Sequence, residues 1–373
     1  MNDIATILAE AALRLHRHLD RTHLQKGLLA GPDPGVRLNL RFWRFLKSYA
    51  GLTNGPERHV FMQGAAYWIM ANWVLLDLRG EQAFGYLAAR GADRVADLQR
   101  GDGSWQYPLK ERRHLAATIE GNWASLALLE SFRRTGEERY LRAALDWKRF
   151  LLRRIGFQSY EGTLAVNYFD RPRGNIPNNT TNTLWFLAES ALHEPDAEAE
   201  EKIHGMKAFL KKVQRPNGEF PYIVESPYEK GKPHYLCFQY NAFEFLDLCH
   251  YYRIRGDEEV VPMLESLAGF LSSGLTLRGW ARTSCIRERP RVIYYTASLA
   301  YALWKAHALG ISGDAEKWRR GILRVLEHQN PRGSFPHSRG DYGILEDSRS
   351  YPRYQAMILY FLASLSHESG KDR

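Results

Sequence analysis

The sequence predicts an all-α fold in which about twelve helices form two concentric rings, an arrangement called an (α/α)6 toroid. The pattern Gln-x-x-x-Gly-x-aromatic occurs three times, starting at Gln99, Gln214 and Gln329. The spacing is 115 residues in both cases, from 99 to 214 and from 214 to 329. Weaker copies lie midway, near residues 156–160 and 274–280, so the repeating unit is about 57 residues long. A unit of that length holds two helices, as in arrays of helix pairs.

Apolar residues recur at helical spacing along most of the chain, and segments rich in glycine and proline interrupt them. The predicted helices span residues 3–25, 41–49, 57–78, 82–98, 114–135, 137–154, 180–193, 196–213, 236–255, 257–273, 291–309, 314–328 and 352–367. Residues 27–36 predict a loop, because they hold three glycines and two prolines. Strand-like segments are short and lie near residues 160–170 and 276–284.

The helices alternate in character, which predicts which ring each one joins. The first helix of a pair is dense in small and aromatic residues, as at 122–125, whereas the second carries charges on one face, as at 198–212. A helix that is apolar all round is buried, and a one-faced helix lies outside. The last predicted helix, 352–367, closes the ring against the first, 3–25. Residues 1–373 are therefore predicted to form a single toroidal domain.

Composition narrows the functional classes. The chain has 373 residues, 45% of them hydrophobic, which suffices for a large core. The net charge is +9 without a block of lysine and arginine, which fits a solvated basic surface or a groove for an anionic substrate, and we expect the groove. No motif that reads nucleic acid is present, so we expect no nucleic-acid partner. Cys237, Cys249 and Cys285 lack the spacing of a metal or disulfide motif. The N-terminus lacks a secretory pattern and no apolar segment reaches membrane-spanning length, which predicts a cytoplasmic protein without a membrane span.

The first repeat, which reads Gln-x-x-Asp-Gly-x-Trp from Gln99 to Trp105, resembles the repeat of terpene cyclases and protein prenyltransferases. The cyclase acid motif Asp-x-Asp-Asp and the diphosphate motif Asp-Asp-x-x-Asp are both missing. Asp247 and Cys249 resemble the zinc pair of prenyltransferases, but the zinc histidine of that family is replaced in Tyr294-Tyr295-Thr296. Residues two apart on a helix also face different ways. We therefore expect no metal and no cofactor.

Polar and aromatic residues collect just before the predicted inner helices, which start at one end of a closed ring. Functional groups of toroids are expected on such loops. The candidates for substrate binding are Arg171, Arg173, Asn178, Asn179, Arg289, Arg291, Arg349 and Arg353, with Trp105 as a sugar platform or a packing residue. The candidates for catalysis are Tyr295, Tyr294 and His337.

The candidate segments are similar to those of toroidal alginate-type lyases. Pro177-Asn178-Asn179 resembles their Asn-Asn segment, and Arg291 followed by Tyr294-Tyr295 resembles their Arg–Tyr segment. The histidine that follows the asparagines in lyases is Thr180 here. The resemblance implies that Arg and Asn side chains neutralise a substrate carboxylate while a tyrosine removes the neighbouring proton. Toroidal glucuronyl epimerases, which use tyrosines and a carboxylate, fit the same residues.

The sequence thus favours a lyase or C5-epimerase that acts on a uronate-containing polysaccharide. Two alternatives remain open at this point: an isoprenoid enzyme of the cyclase or prenyltransferase type, and a non-catalytic toroid that binds a glycan or a protein. Asn178 and Asn179 could cap a helix, and one of Tyr294 and Tyr295 is expected to be core. The character of the central cavity separates these alternatives, because a polar, arginine-lined cleft suits a sugar and a closed apolar pocket suits an isoprenoid.

Overall fold

The computed structural model of the chain describes residues 4–34, 42–49, 58–311 and 315–370. The helices in this part of the chain are α1 (Ile4–Thr22), α2 (Phe42–Tyr49), α3 (Met62–Arg79), α4 (Gln82–Asp97), α5 (Thr118–Thr135), α6 (Glu138–Phe150), α7 (Pro177–Ala191), α8 (Ala197–Val213), α9 (Cys237–Arg255), α10 (Val261–Ser272), α11 (Ile293–Ala308), α12 (Ala315–Leu326) and α13 (Pro352–Ser369). The short strands are β1 (Leu24–Gln25), β2 (Leu28–Leu29), β3 (Phe157–Tyr160), β4 (Thr163–Val166), β5 (Arg291–Val292), β6 (Ser338–Asp341) and β7 (Leu345–Asp347). The predicted helix starts at residues 3, 41, 57 and 314 lie outside the described residues.

Twelve of these helices form the two predicted rings. Helices α3, α5, α7, α9, α11 and α13 pack in that order, and α13 returns to α3 to close the inner ring. Helices α4, α6, α8, α10, α12 and α1 form the outer ring, each packed on its inner partner. The sixth pair joins the two ends of the described chain, α13 and α1, as predicted. The all-α toroidal fold class is therefore confirmed.

Burial distinguishes the rings as the sequence pattern predicts. Almost every residue of the inner helix α7 is buried, polar ones included. The outer helix α12 instead buries a narrow stripe formed by Trp318, Gly321, Ile322 and Val325. Inner helices are enclosed by neighbours on all sides, so their polar side chains need partners within the protein.

Each of the three glutamine turns, which are residues 99–105, 214–220 and 329–335, binds one outer helix to the next one around the ring. The side-chain amide of Gln214 donates to the carbonyl oxygen of Gly218 at 3.1 Å and to that of Met263 in α10 at 3.0 Å. Gln99 donates in the same way to Gly103 and to Ala143 in α6, and Gln329 to Gly333 and to Ala11 in α1. The glutamine side chain of the repeat therefore joins two neighbouring outer helices, at every second junction of the outer ring.

Two helix starts differ from the prediction, and both differences concern candidate residues. Helix α7 begins at Pro177, so Asn178 and Asn179 lie in its first turn and not before it. Proline is favoured at that first position because it has no N–H to leave unpaired. Helix α11 begins only at Ile293, because Arg291 and Val292 form β5, which pairs with β6. The β5–β6–β7 sheet was not predicted, since its strands are two to four residues long.

The remaining predicted strand segments are reproduced in part. Residues 157–166 form the β3–β4 hairpin, a few residues earlier than predicted, and 276–284 contributes an isolated bridge between Leu275 and Ala281. In the described residues, no helix combines the length and apolar character that a bilayer crossing requires.

Candidate functional site

A small cavity, here called the deep pocket, lies where the six inner helices begin. Its volume is about 130 Å³. Every inner helix contributes to its wall from the first turns: Gln63, Ile119, Glu120, Trp123, Asn178, Asn179, Gln239, Tyr240, Phe243, Asp247, Tyr294, Arg353, Tyr354 and Met357, together with Tyr168 from a loop. This end of the ring is called the rim below. The wall combines carboxyl, amide, phenol and guanidinium groups, so the pocket is polar.

A second cavity, the outer groove, adjoins the deep pocket. It has a volume of about 500 Å³, and both cavities are lined by Tyr168, Asn178, Asn179 and Tyr240. The remaining charged residues of the groove are mostly basic: Arg112, Arg171, Arg173, Lys232 and His114, with the acids Glu111 and Glu229. The two cavities together have the size of a small-molecule site with an approach channel.

Glu120 is one of the two buried acids that line the deep pocket. It lies in the first turn of α5, is 3% exposed, and accepts a hydrogen bond from the backbone N–H of Gln63 at 3.1 Å. Burial raises the pKa of Glu120, and the nearby Arg353 charge only partly opposes that rise. General acids and bases in enzymes are often carboxyl groups whose pKa is raised by burial.

Arg353 brings a positive charge to the same pocket from the first turn of α13. Its guanidinium pairs with the Asp33 carboxylate at 2.9 Å, donates to the hydroxyl of Tyr354, and lies 4.1 Å from the ring centre of Phe61. Its buried Nε makes no hydrogen bond to any residue that the structure describes. One N–H of this guanidinium therefore remains for a ligand.

Two amide groups of the wall also carry atoms without partners. The Nδ2 of Asn179, which is 1% exposed, and the Oε1 of Gln239, which is 6% exposed, make no hydrogen bond within the described chain. Buried polar groups in folded proteins are rarely left unpaired. With Arg353 Nε, the pocket thus offers two spare donors and one spare acceptor, which suits a ligand that carries both an anionic oxygen and a hydroxyl group.

Asp247 provides a second buried carboxyl group, deeper along α9. It accepts hydrogen bonds from Thr181 Oγ1 at 3.2 Å and from Asn182 Nδ2 at 3.3 Å. Burial raises the pKa of Asp247 well above its usual range, against the effect of these two donors. Cys249 lies two residues further along the same helix, and no described cluster of potential metal ligands includes either residue.

Aromatic rings form the side of the pocket between α11 and α13. Tyr294 stacks on Tyr354 with 4.2 Å between ring centres, and Tyr295 meets Tyr294 edge to face at 4.6 Å. Burial raises the pKa of Tyr294 and of Tyr354, so both phenols stay protonated at neutral pH. Such phenols suit proton donation better than proton removal.

Several of the residues proposed from the sequence meet in these cavities. Asn178, Asn179, Tyr294 and Arg353 line the deep pocket, and Arg171 and Arg173 line the outer groove. His337 lies beside the pocket wall, with its ring 5.6 Å from that of Tyr354.

Other proposed residues are placed differently. Arg349 is 1% exposed and paired with Asp347. Arg291 lies over the Trp280 ring, while Arg289 is exposed and donates to the carbonyl of Gly343. Trp105 is 2% exposed and donates from Nε1 to the carbonyl of Val95, although it also borders a separate cavity of about 820 Å³. None of these four side chains lines the deep pocket or the outer groove.

Glu120 and Asp247 are the pocket residues that sequence reasoning missed as acids of the site. The available signal was an ionisable residue inside a helix that is otherwise apolar on every face. Such a residue must be buried, and a buried carboxyl group is a functional candidate. The sequence pattern suggested Asp247 only as a partner of Cys249. Glu120 stands near the start of a helix, where acids are common and attract no notice.

No protein-family model matches the chain, and no curated protein matches it either. Solved structures do match over almost the whole chain. A cellobiose 2-epimerase from Bacillus thermoamylovorans B4167 superposes with a TM-score of 0.72 and 13% identity, over 97% of this chain and 99% of its own. A family 76 glycoside hydrolase (mannosidase) from Bacteroides thetaiotaomicron VPI-5482 gives 0.68 and 12%, over 98% and 100%. A polysaccharide lyase gives 0.68 and 10%, over 100% and 99%. At such low identity the likeness concerns the fold, and the chain has the α/α-toroid fold.

Proposed function

We propose that the chain is a carbohydrate-active enzyme that moves a proton at a carbon next to the carboxylate of a uronate sugar, as a lyase or a C5-epimerase. One observation carries the proposal. A buried carboxyl group with a raised pKa, Glu120, and spare buried donors on Arg353 and Asn179 line one small pocket at the end of a basic groove.

The similar solved structures support a saccharide as the substrate. Those reported above are an epimerase, a glycoside hydrolase and a lyase. The polar wall of the deep pocket points the same way, since an isoprenoid chain would need an apolar wall. Arg171, Arg173 and Lys232 in the outer groove suit further anionic sugar units of a longer chain.

Arg353 and Asn179 are the groups that would hold the substrate carboxylate. Arg353 Nε–H and Asn179 Nδ2–H each lack a partner in the described chain, and both are buried. Hydrogen bonds to a charged acceptor in a buried site are short and strong. They would also stabilise the negative charge that spreads onto the carboxylate when the neighbouring C–H bond breaks.

Glu120 would remove the proton, and a phenol would complete the exchange. In an epimerase, the electron pair left at carbon takes a proton from the opposite face, and Tyr294 or Tyr354 supplies it. In a lyase, the same electron pair forms a carbon–carbon double bond while the bond to the leaving sugar oxygen breaks, and the phenol protonates that oxygen. Tyr295 and His337 adjoin these phenols. They would act through them, by giving a proton back to whichever phenol, Tyr294 or Tyr354, has lost one.

Hydrolysis of a glycosidic bond is the second candidate, and the pair Glu120 and Asp247 favours it. Glycosidases use two carboxyl groups, one of which keeps its proton because its pKa is raised. Both acids line the deep pocket and both have raised pKa values.

The experiment separates these reactions by their products. Purified protein is incubated in D2O with alginate, heparosan, cellobiose and mannan oligosaccharides. An epimerase incorporates deuterium at one sugar carbon without chain cleavage, a lyase produces an unsaturated, ultraviolet-absorbing end, and a hydrolase produces saturated reducing ends. We expect deuterium or unsaturation with the uronate substrates only. Cleavage to saturated ends would establish the second candidate, and turnover of neutral sugars alone would refute the anionic substrate.

A further inference from the structure

Four residues that bind metals well in other proteins come together near the rim, outside the deep pocket. Glu219 lies in the second glutamine turn, His234 lies in the following loop, Cys237 is the first residue of α9, and Cys285 lies in a tight turn before α11. Their ligand atoms all lie within 4.8 Å of one another. We propose that this cluster binds a structural Zn²⁺ ion.

The donor set and the distances fit that ion. Zinc favours thiolate, imidazole and carboxylate ligands in a tetrahedron, and its bond lengths of about 2.0–2.3 Å place ligand atoms roughly 3.3–3.8 Å apart. Glu219 Oε1 already lies 3.1 Å from His234 Nδ1 and 3.4 Å from Cys285 Sγ. Four ligands from the protein fill the tetrahedron, which is typical of structural and not of catalytic zinc.

The carboxyl group of Glu219 is not needed for the turn in which it stands. Ser104 and Ser334 occupy the equivalent places in the other two glutamine turns, directly after Gly103 and Gly333. Yet Glu219 is 0% exposed, and its Oε2 makes no hydrogen bond to the residues that the structure describes, with Arg215 at 3.8 Å. Burying a carboxylate in this manner is costly unless a strong partner compensates it. A divalent cation is such a partner.

Zinc binding requires one rearrangement, which the structure allows. Arg215 Nη1 lies 3.0 Å from His234 Nε2 and can only donate, so Nε2 accepts and Nδ1 carries the hydrogen. Coordination through Nδ1 moves that hydrogen to Nε2, and Arg215 must then turn away. The Arg215 side chain can swing toward solvent because it is 35% exposed.

The ion would join the segment from the second glutamine turn to α9 with a turn much further along the chain. It would connect the second glutamine turn, the start of α9 and the turn at residues 284–287. Tyr240, one turn after Cys237, and Tyr222, two residues after Phe220, line the outer groove, with their ring centres 4.7 Å apart and their planes tilted by 39°. The proposed ion would therefore hold one wall of the groove in place, whatever reaction occurs there.

The test measures metal content and thiol chemistry on the whole chain. The protein is produced without a histidine tag, purified without chelators and analysed by elemental mass spectrometry. We expect one zinc per chain, and thiolate-to-metal charge-transfer bands after replacement by Co²⁺. His234→Ala and Cys285→Ser should each weaken zinc binding by more than about 100-fold, because loss of an outer-shell partner alone costs about 10–100-fold.

Cys249→Ser is the matched control, since Cys249 lies on the same helix but outside the cluster. It should retain one zinc and the cobalt bands. His234 is partly exposed, so His234→Ala should fold even if a cysteine variant does not. The proposal is overturned by metal-free protein that binds no added zinc, by a Cys237–Cys285 disulfide in the isolated protein, or by full zinc retention in His234→Ala. None of these outcomes depends on the proposed sugar chemistry.

Discussion

The two ends of the inner ring differ in how their charged side chains are buried and paired. At the rim, Glu120, Asp247 and Arg353 are buried in or beside a cavity, and burial raises the pKa of both acids. At the other end, where the inner helices finish, ion pairs join neighbouring inner helices near the surface. Arg134 of α5 bridges Asp77 of α3 at 2.6 Å, and Lys305 of α11 bonds Glu368 of α13.

The glycine turns at the two ends also differ in how closely other atoms pack against them. Gly256 follows the inner helix α9 with φ +60, and a Cβ there would meet nothing within 4 Å. Gly218 follows the outer helix α8 at the rim with φ +88, and a Cβ there would lie 2.0 Å from the carbonyl oxygen of Ser266. The rim is thus packed closely and holds its charges at an energetic cost, as preorganised sites do. The far end follows the ordinary rules of helix termini.

The largest effect is expected from Glu120→Gln. If Glu120 is the base, turnover should fall by about 10²–10⁴-fold, because a neutral amide cannot remove a proton. The amide oxygen can still accept the Gln63 N–H bond, so the fold should persist. Glu138→Gln, at the exposed start of outer helix α6, is the control and should keep full activity.

The same substitution should alter stability in a defined pH window. A raised folded-state pKa means that the folded chain binds the Glu120 proton more tightly than the unfolded chain does. Stability therefore falls as pH rises from the ordinary carboxyl pKa through the raised one. Glu120→Gln removes this penalty, so urea unfolding at neutral pH should show equal or greater stability than in the wild type. A stability loss together with retained turnover would assign Glu120 to the core.

The next largest effect tests the turns at the two ends. Gly218→Ala should cost roughly 3–5 kcal/mol of unfolding free energy, from left-handed strain and from overlap with a backbone carbonyl. Gly256→Ala carries the strain alone and should cost about 1 kcal/mol. Urea denaturation of both variants measures the difference. Equal costs would show that the rim is no more tightly packed than the far end.

A third effect concerns His23, which lies at the rim after α1. Burial lowers the pKa of His23 to about 4, with help from the His18 charge. The unfolded chain then binds more protons than the folded one between the ordinary pKa and about 4, so stability falls as pH falls through that range. The contribution is on the order of 3 kcal/mol. His23→Asn should reduce the measured loss of stability over this window by a similar amount, and an unchanged pH profile would argue against a buried neutral His23.

The smallest effect is expected at the far end. Arg133 pairs with Glu130 in the last turns of α5, and its side chain is 60% exposed. Exposed pairs of this kind contribute about 0.2–1 kcal/mol and are screened by salt. Arg133→Ala should therefore change unfolding free energy by less than about 1 kcal/mol and leave turnover unchanged. A large loss of activity would mean that the far end also takes part in function.

Much of the fold could be predicted because its signals are local. Helical periodicity, the three glutamine turns and the contrast between apolar and one-faced helices are properties of short segments. They predicted the two rings and the closing pair of α1 and α13. The β5–β6–β7 sheet and the early start of α7 were not predicted, since very short strands and an N-terminal proline leave weak sequence patterns.

The sequence predicted where the site lies in the fold but not how its side chains are oriented. Loops and first turns before the inner helices were expected to carry function, and Asn178, Asn179, Tyr294 and Arg353 do line the deep pocket. Whether Tyr294 or Tyr295 points inward depends on helix rotation, which a single sequence does not report. The catalytic roles of these residues stay predictions, as do those of Tyr295 and His337.

The sequence by itself determined the helices and their order in the two rings, because each repeat encodes its own helix pair and the turn that ends it. Only the tertiary structure brought Glu120 of α5 and Arg353 of α13 into one pocket, and Glu219 and Cys285 into one cluster. Residues far apart in the sequence become neighbours when the helix pairs pack into the ring. Their distances depend on how six helix pairs pack around the axis, and no local pattern records that geometry.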